Sequence, residues 1–361
     1  MTQDEKYMSR AIRLARKGAG WVSPNPMVGA VIVDENGRIV SEGFHERFGG
    51  PHAERVALEK LNFNAKGCTL YVNLEPCCHY GKTPPCTQAI IKSGIKRVVV
   101  GMADPNPLVS GRGIEILRNH GIEVVVGVLE ERCRELNRAF IKWITRKIPY
   151  VTLKWAQSLD GKIATKTGNS RWISSEKALK FAHRLRALHD AVLVGKRTVE
   201  KDDPMLNVRL VRGRDPLRVV LDADLSLPPD RKVFSVPPET VVFTASGSKE
   251  KEERLKEKGV EVIRIPESEG KLSIKEVLKT LGERGITSLL VEGGSQTHAS
   301  FIKEGLYDEI QAVVAPKIIG SGIEAAGIEG INRVEDAVKL RLLSARRLGE
   351  DVVIVLRPLE S

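Results

Sequence analysis

His52-Ala53-Glu54 and, further along the chain, Pro76-Cys77-Cys78-His79-Tyr80-Gly81-Lys82-Thr83-Pro84-Pro85-Cys86 are the stretches that decide how the first part of this sequence folds. Glu54 begins a helical pattern of apolar residues, Cys77 follows a strand-like apolar run, and Cys86 opens a second helical pattern. Helix starts suit metal-binding cysteines, because backbone N–H groups and the positive helix end stabilise the thiolate. The two stretches therefore predict alternating helices and strands around a metal site.

The residue types in these stretches point to zinc. One histidine and two cysteines supply three ligands, and a three-ligand zinc site keeps one position for a water that ionises near neutral pH. Glu54 lies two residues after His52 and can carry a proton from that water to a departing amine. We therefore predict hydrolytic deamination, with Zn²⁺ held by His52, Cys77 and Cys86 and with Glu54 as the catalytic residue.

Two other interpretations of the cysteines are open. The string departs from the short PCxxC pattern of zinc deaminases, so the cysteines could form a closed structural zinc site or remain buried free thiols. Cys78 competes with Cys77 as a ligand, although adjacent side chains diverge, and His79 is the nearby candidate for a fourth ligand. The carboxylate of Glu54 and the lack of another suitably spaced ligand favour catalytic zinc.

Length and composition limit the class of protein. The 361 residues, of which 42% are hydrophobic, suffice for two ordinary soluble domains. Five cysteines, an odd number, fit metal ligands and spare thiols in a reducing compartment better than a disulfide framework. The polar start of the chain and the lack of an apolar run of about 18 residues argue against export or membrane insertion. We predict a cytoplasmic location.

The net charge of +11 would permit nucleic-acid binding. The basic residues are nevertheless interleaved with glutamates, as in residues 249–258, which is typical of a solvated helix face. A phosphorylated small substrate would account for part of the excess charge. We therefore expect a small-molecule partner rather than nucleic acid or a membrane.

The chain divides at Lys147-Ile148-Pro149, because a proline after a basic helix end stops the helix and an apolar strand pattern follows at once. Before this seam we predict a three-layer α/β domain, with a hairpin over residues 28–42 and a single helix over residues 130–145. After it, helices alternate with strands, and two apolar strands, residues 310–315 and 351–356, close the chain. This pattern predicts a mixed sheet with helices on both faces.

The second part contains a candidate nucleotide site. No GxGxxG string follows a strand there, so the usual dinucleotide fingerprint is missing. Residues 289–297 run from a buried strand through Gly293 and Gly294 into a helix, which places free N–H groups where a phosphate can approach. Ordinary turn chemistry would also explain two glycines at this point.

Longer motifs in both parts resemble one family. LEPCCHYGKTPPC at residues 74–86 and SPNPMVGAVIV at residues 23–33 resemble the deaminase half of the bifunctional deaminase/reductase of riboflavin biosynthesis. SLDGKIA (158–164), GNSRWIS (168–174), VGKRTVEKDDP (194–204) and VEGG (291–294) resemble its reductase half. The resemblance implies a cytidine-deaminase-like α/β/α domain over residues 1–147 and a dihydrofolate-reductase-like α/β domain over residues 148–361.

The resemblance also implies ligands and their residues. It implies zinc and NADPH as cofactors, and NADPH contacts at Ala156, Trp172, Thr198, Asp202, Gly294, Ser295, Gln296, Thr297, His298, Ala299 and Ser300. Substrate contacts are implied at Asn25, His45, His79, Lys82 and Asn106 in the first domain, and at Ser170, Arg186, Leu206, Arg209 and Glu292 in the second. Lys82 would offer a point charge to a phosphate, and the arginines would offer planar forks to its oxygens.

The expected reactions follow from the same resemblance. The first domain would remove the 2-amino group of 2,5-diamino-6-ribosylamino-4(3H)-pyrimidinone 5′-phosphate, and the second would reduce the ribosyl group to ribityl with NADPH. Asp160 is a possible proton source for the reduction, or only part of an Asp-Gly turn. The resemblance further implies a homo-oligomer. The alternatives are a base deaminase acting on nucleic acid and a zinc-stabilised nucleotide sensor without activity.

Overall fold

The structure, a computed structural model, describes residues 1–80, 84–107, 109–235, 237–268 and 270–359. The chain forms two compact units, Met1–Lys147 and Ile148–Ser361. Among the described residues, no helix combines the length and the apolar character needed to cross a bilayer.

The first unit alternates helices and strands, as the sequence predicts. Its elements in chain order are α1 (Gln3–Ala15), a 3₁₀ turn (Arg16–Gly18), β1 (Gly29–Val33), β2 (Ile39–Phe44), α2 (Ala53–Glu59), β3 (Thr69–Val72), α3 (Cys86–Lys92), β4 (Arg97–Val100), α4 (Arg112–Asn119), β5 (Glu123–Val126), α5 (Glu130–Leu136) and α6 (Arg138–Arg146). Helix α1 begins with a capping box, in which Thr2 and Glu5 each accept a hydrogen bond from the other's backbone N–H.

The sheet of the first unit has the order β2-β1-β3-β4-β5. Strand β1 is antiparallel to both β2 and β3, whereas β3, β4 and β5 run parallel. One face packs against α2, α3 and α4, and the other packs against α1 and α5. Because parallel strands end at one edge of a sheet, β3 and β4 deliver the segments that follow them, at Cys77 and Asp104, to the same edge.

The prediction of one helix over residues 130–145 is wrong, because Asn137 separates α5 from α6. Its side-chain oxygen accepts a hydrogen bond from the Met27 N–H at 2.8 Å, and its amide nitrogen donates to the Met27 carbonyl at 3.0 Å. Asn137 is 2% exposed, so this amide pairing is buried. The helix break therefore anchors the segment that leads into β1.

The second unit is larger. Its elements are β6 (Tyr150–Gln157), β7 (Lys162–Thr165), α7 (Glu176–Leu188), β8 (Ala191–Gly195), α8 (Lys196–Asp202), β9 (Leu217–Leu221), α9 (Lys232–Ser235), β10 (Thr240–Thr244), α10 (Lys249–Glu257), β11 (Val260–Arg264), β12 (Glu267–Ser268), β13 (Lys271–Leu272), α11 (Ile274–Glu283), β14 (Ser288–Val291), α12 (Ser295–Lys303), β15 (Glu309–Val314), β16 (Gly322–Glu324), a 3₁₀ turn (Val334–Asp336), β17 (Leu340–Leu348) and β18 (Asp351–Pro358).

Nine of these strands form one mixed sheet in the order β11-β10-β9-β8-β14-β6-β15-β18-β17. The strands from β11 to β15 pair in parallel, and β18 and β17 are antiparallel additions at one edge. Helices α11 and α12 cover one face, and α7 and α10 cover the other. The predicted fold class, α/β with a mixed sheet in this unit, is confirmed.

Strand β17 was not among the predicted strands. Its sequence, LRLLSARRL, lacks the alternation of a half-buried strand, and most of its residues are exposed. The strand forms nevertheless, because β18 supplies hydrogen-bond partners along its length. Tertiary pairing, rather than a hydrophobic pattern, determines this edge.

Candidate active sites

The three predicted zinc ligands meet in the first unit. His52 immediately precedes α2, Cys77 lies beyond the end of β3, and Cys86 is the first residue of α3. The His52 Nδ1 atom lies 3.4 Å from Cys77 Sγ and 3.3 Å from Cys86 Sγ, and the three ligand atoms all lie within 4.8 Å of one another. The sheet edge and two helix starts thus bring distant residues to one point.

This donor set fits a zinc ion. Tetrahedral Zn²⁺ with ordinary Zn–N and Zn–S bonds separates its ligand atoms by about 3.6 Å, close to the distances in this site. The Cys86 backbone N–H also donates to Cys77 Sγ at 3.3 Å. The hydrogen bond from the Cys86 side chain, with His52 beside it, lowers the pKa of Cys77 and so favours its metal-binding thiolate, whereas the same hydrogen bond and burial raise the pKa of Cys86.

Glu54 lies in the first turn of α2 and is 3% exposed. Burial raises the pKa of its carboxyl to about 7. A bound divalent cation would oppose this effect, because positive charge favours the carboxylate. Glu54 is therefore a buried group that can hold or release a proton beside the ligand set.

A cavity of about 320 Å³ opens beside these residues. Its lining includes His52, Glu54 and Cys77 together with four of the predicted substrate contacts, Asn25, His45, His79 and Asn106. The fifth predicted contact, Lys82, lies outside the described residues. Residues from five separate segments of the sequence therefore share one pocket.

His45 fixes the direction of the Asn25 amide. The His45 Nδ1 atom lies 2.9 Å from the Pro51 carbonyl oxygen, so it carries the proton, and Nε2 lies 3.0 Å from Asn25 Nδ2. Burial lowers the pKa of His45, which favours this neutral form. Because the amide nitrogen donates to His45, the Asn25 oxygen is free to accept a hydrogen bond from a ring N–H or a hydroxyl.

Part of the pocket was not predicted from the sequence. Phe140, Trp143 and Ile144 of α6 contribute an apolar wall, and Phe48 contributes an aromatic ring from another segment. The spacing of the three α6 residues, i, i+3 and i+4, is the signal that could have identified one face of this helix. A flat pyrimidine ring suits such a wall, because aromatic groups stack on it.

Glu75 and Asp104 also line this pocket and were not predicted. Asp104 is buried, and its carboxylate accepts a hydrogen bond from the Asn106 N–H at 2.9 Å. Burial raises the pKa of Asp104 to about 6. This hydrogen bond lies inside the Asp104-Pro105-Asn106 turn and stabilises the backbone conformation that positions Asn106.

The second unit contains a larger cavity, of about 870 Å³. The turn from β14 into α12 forms one side of it. A Cβ atom at Gly293 would lie only 2.8 Å from Val194 Cα, so the turn packs directly on the end of β8. The Gly294 N–H donates to Thr198 Oγ1 at 3.1 Å, and no side chain caps the start of α12. This cradle fits a phosphate-bearing dinucleotide.

Most of the predicted NADPH contacts lie in this cavity. Its lining includes Thr198, Asp202, Gly294, Ser295, Gln296, Thr297 and Ser300, as well as the predicted substrate contact Ser170. Four cationic side chains that were not predicted, Lys196, Arg197, Lys201 and Lys271, also line it. Four carboxylates, those of Asp202, Asp224, Glu267 and Glu329, line the same cavity, and Lys196 is paired with Asp224 at 2.9 Å. The lining therefore has no net positive charge, and the open N–H groups at the start of α12 are the better candidates for the dinucleotide phosphates.

The other predicted NADPH contacts are not part of the lining given by the described residues: Ala156, Trp172, His298 and Ala299. His298 is 1% exposed and its ring faces the Ala325 and Val291 carbonyl oxygens, so it supports α12 from below. Trp172 is 63% exposed, and its carbonyl accepts a hydrogen bond from Lys317 at 2.7 Å. An exposed indole beside the Ser170 segment remains available to a ligand.

The four remaining substrate candidates gather around Asn207. Arg186 forms a two-pronged ion pair with Glu292, at 2.6 and 2.8 Å, and also donates to the Asn207 carbonyl at 3.1 Å. Arg209 donates to the Asn207 side-chain oxygen at 3.0 Å, and Leu206 is buried next to it in the chain. Because Glu292 directly precedes Gly293, this group adjoins the glycine turn.

Lys154 and His183 belong to the same group and were not predicted. Burial lowers the pKa of Lys154, on β6, although Glu292 opposes the effect. Burial and the nearby charges of Arg186 and Arg209 lower the pKa of His183 to about 4, and the His183 ring nitrogen accepts a hydrogen bond from the Arg209 N–H. Burial acts against ionised Glu292, but the positive charges around it outweigh burial and lower its pKa to about 2.

Asp160 is a turn residue in the structure. Its carboxylate accepts hydrogen bonds from the Ser158 hydroxyl at 2.6 Å and from the backbone N–H groups of Ile319 and Gly320. These donors, led by Ser158, lower its pKa to about 2. A carboxylate held in the ionised form in this way is a poor proton donor, so the turn interpretation is the better one.

Two family models match this chain. The model described as the RibD C-terminal domain matches residues 149–354. The model described as the cytidine and deoxycytidylate deaminase zinc-binding region matches residues 1–102. The second match contains His52, Glu54, Cys77 and Cys86.

Full-length relatives agree with these matches. The chain is 51% identical over 352 residues to riboflavin biosynthesis protein RibD of Aquifex aeolicus, covering 97% of each chain, and 39% identical to that of Escherichia coli, covering 98% of each. Among solved structures, it is similar to a diaminohydroxyphosphoribosylaminopyrimidine deaminase/5-amino-6-(5-phosphoribosylamino)uracil reductase from Thermotoga maritima, with 43% identity, a TM-score of 0.88 and 99% coverage of each chain. It is likewise similar to Acinetobacter baumannii RibD, with 38% identity, a TM-score of 0.90 and 99% coverage of each chain.

Proposed function

This chain belongs to the RibD family of bifunctional riboflavin biosynthesis enzymes, and we propose that residues 1–147 deaminate a diamino-pyrimidinone ribosyl phosphate that residues 148–361 then reduce. The substrate named for the Thermotoga maritima relative supports this choice. The observation that carries the proposal is the convergence of His52, Cys77 and Cys86 beside buried Glu54.

In the deamination, one C–N bond of the pyrimidine is exchanged for a C–O bond, and water and substrate give ammonia and the keto product. Bound zinc supplies Lewis-acid activation of the attacking water. Glu54 takes the proton released in the attack and transfers it to the leaving amine, which departs as ammonia. The buried position of Glu54 beside the ligand set supports this role.

Asn25 and the apolar wall would hold the ring during this step. The Asn25 oxygen, directed by His45, would accept a hydrogen bond from the polar edge of the pyrimidine. Phe140 and Trp143 would contact its face. We infer that His79 and Lys82 contact the ribosyl phosphate; the family motif supports both assignments, and the place of His79 in the cavity lining supports the first.

In the reduction, the sugar ring opens to an imine in which C1 of the ribosyl group is doubly bonded to the amine nitrogen; C1 then gains a hydride and the nitrogen gains a proton, which gives a ribitylamino group. Bound NADPH supplies the hydride. The glycine turn at Gly293-Gly294 and the start of α12 would hold the dinucleotide phosphates, and Thr198 would keep that turn in place. Arg209, which is exposed and donates to the Asn207 side chain, would hold the substrate phosphate, whereas Arg186 is paired with Glu292 and with the Asn207 carbonyl and would support this group from within.

A single assay tests both reactions. The diamino-pyrimidinone ribosyl phosphate is added to the full chain with NADPH, and ammonia release and NADPH absorbance are followed together, with and without prior zinc chelation. We expect ammonia first, NADPH loss second, and the loss of both signals after chelation. Ammonia without NADPH consumption would contradict the reductase assignment.

The same assay separates the alternatives. A nucleotide sensor would release no ammonia even when fully loaded with zinc. A deaminase of nucleic acid would bind RNA tightly and in a salt-dependent manner, whereas we expect no retention of RNA on a filter at low salt. RNA retention together with inactivity toward the small substrate would overturn the proposal.

We also propose that the protein is cytoplasmic and forms a homo-oligomer. Strand β17 supports the second proposal, because it is an edge strand whose Leu342 is 60% exposed and whose outer hydrogen-bonding groups face away from the sheet. Light scattering during size-exclusion chromatography measures the mass of the particle in solution. A mass of 39.8 kDa, that of one chain, at micromolar concentration would contradict the homo-oligomer.

A further inference from the structure

We propose that Glu75 is a positioning residue of the deaminase pocket, which ties the described residues of one segment, 104–107 and 109–114, to the end of β3 that leads to Cys77. This inference rests on the proposed deamination. Glu75 is 3% exposed and immediately precedes Pro76 and Cys77. Glu75 is not one of the three candidate zinc ligands, so zinc binding does not explain why this carboxylate is buried here.

Both oxygens of the Glu75 carboxylate are fully used. Oε2 accepts hydrogen bonds from the N–H groups of Asp104 and Gly111, each at 3.0 Å. Oε1 accepts from the N–H groups of Gly113 at 2.9 Å and Ile114 at 3.2 Å. Four backbone donors from a single segment therefore converge on one buried carboxylate, a strong arrangement because each hydrogen bond involves a charge.

The start of α4 depends on this carboxylate. Gly111 precedes the helix at φ +86° and cannot cap it with a side chain. The first N–H groups of a helix have no partner within the helix, and Glu75 accepts two of them in place of a capping residue. Its negative charge also lies at the positive end of the helix, where it is stabilising.

The contact is also close in space. A Cβ atom at Gly113 would collide with the Pro76 carbonyl oxygen and lie 3.1 Å from Glu75 Oε1. Only glycine therefore allows α4 to approach the residues next to the metal ligand. The start of α4 therefore packs directly on Glu75 and Pro76, and this close contact holds the helix start against the residues that precede Cys77.

The tied segment supplies part of the substrate pocket. Asp104, Asn106 and Val109 all line the cavity beside Glu54 and Cys77. If Glu75 were lost, the ligand set would persist, since none of its atoms is removed, but the wall that carries Asn106 would move. We therefore expect an effect on substrate binding rather than on zinc binding.

The test compares Glu75→Gln with the matched control Glu115→Gln, an exposed residue in the first turn of the same helix. The amide nitrogen introduced by Glu75→Gln would face two N–H donors, from which it cannot accept hydrogen bonds. We expect one zinc per chain in both variants, faster hydrogen exchange within residues 109–114 in Glu75→Gln, and a KM for ammonia release raised about tenfold with kcat changed less than about threefold. Unchanged exchange, an unchanged KM or loss of zinc in Glu75→Gln would overturn the proposal.

A measurement on the unsubstituted protein guards against a variant that fails to fold. Residue-resolved hydrogen exchange should show the amides of Gly113 and Ile114 protected to the same extent as that of Leu117 inside the helix. Exchange at the rate of an unprotected helix start would overturn the proposal. If this protein released no ammonia, the proposed function would fail, whereas the exchange data would still decide whether Glu75 holds the segment.

Discussion

In the first unit the reactive groups meet within a few ångströms beside a cavity of about 320 Å³, whereas in the second the binding residues surround an opening of about 870 Å³. Hydrolysis of one C–N bond requires a metal, a proton carrier and a substrate atom at a single point. Hydride transfer requires two large ligands to be aligned, and the chemistry lies in the cofactor. Removal of one group should therefore abolish the first reaction but only weaken the second.

The largest expected effect is that of Glu54→Gln. Loss of the proton carrier should lower the rate of ammonia release by about 10³-fold or more, because general acid–base catalysis contributes about that much. Zinc content, measured by mass spectrometry, should stay at one per chain, and reduction of the deaminated intermediate should be unchanged. Glu59→Gln, an exposed position on the same helix, is the control. Ammonia release within tenfold of the original rate would show that the first reaction does not depend on this single group.

Glu292→Gln tests the buried ion pair of the second unit. At neutral pH the change leaves Arg186 without its carboxylate and should cost about 3 kcal/mol of unfolding free energy. Because the pKa of Glu292 is lowered to about 2 from a usual 4.5, its contribution is present above pH 4.5 and is lost as the pH falls toward 2. The stability gap between the two proteins should therefore narrow on acidification.

Pulse-labelling hydrogen exchange measures this difference in unfolding free energy. Each protein is equilibrated in a series of urea concentrations at each pH and then labelled briefly at one fixed pH, and the labelled fraction of peptides from β14 gives the unfolded fraction. Glu283→Gln, an exposed change, is the control and should match the original protein throughout. A gap that does not vary between pH 6 and pH 3 would contradict the assignment of the stabilisation to ionised Glu292.

Arg209→Ala should have a more graded effect. We expect the KM for the deaminated substrate to rise about 10- to 100-fold, because a charge-assisted contact is lost, and the Kd of NADPH to change less than about threefold. Calorimetric titration with NADPH and initial-rate kinetics separate the two. Arg212→Ala, which alters an exposed arginine in the same loop, serves for comparison. Equal losses for both ligands would mean that the substrate pocket is misplaced.

The smallest expected effect is that of Thr198→Val. The substitution removes the acceptor of the Gly294 N–H. We expect the Kd of NADPH to rise about fivefold, because one ordinary hydrogen bond contributes about 1 kcal/mol of free energy. Thr198→Ser keeps the hydroxyl and should restore binding. A rise of about 10³-fold in the Kd of NADPH would match the effect expected for loss of a general acid–base group. The second unit would then depend on single residues as strongly as the first, and the contrast between the two units would be lost.

The deaminase site could be predicted further from the sequence than the reductase site. Three ligands of specific chemistry and a carboxylate two residues from one of them are readable, because metal binding demands those residue types. In the second unit the glycine turn alone is ambiguous, and the family motifs were needed to select Thr198 and Asp202. Lys271 lies outside the family motifs and carries no signal in the sequence, since surface lysines are common.

The sequence by itself determined the two α/β units, the candidate zinc ligands and the helix starts at His52 and Cys86, because periodicity, residue chemistry and turn residues are local properties. Only the tertiary structure decided which distant residues share a pocket. Asn137 breaks a helix because Met27 lies beside it, Glu75 ties a segment far along the chain, and Lys154 meets Glu292 across neighbouring strands. These contacts depend on strand order and packing, which no local pattern encodes.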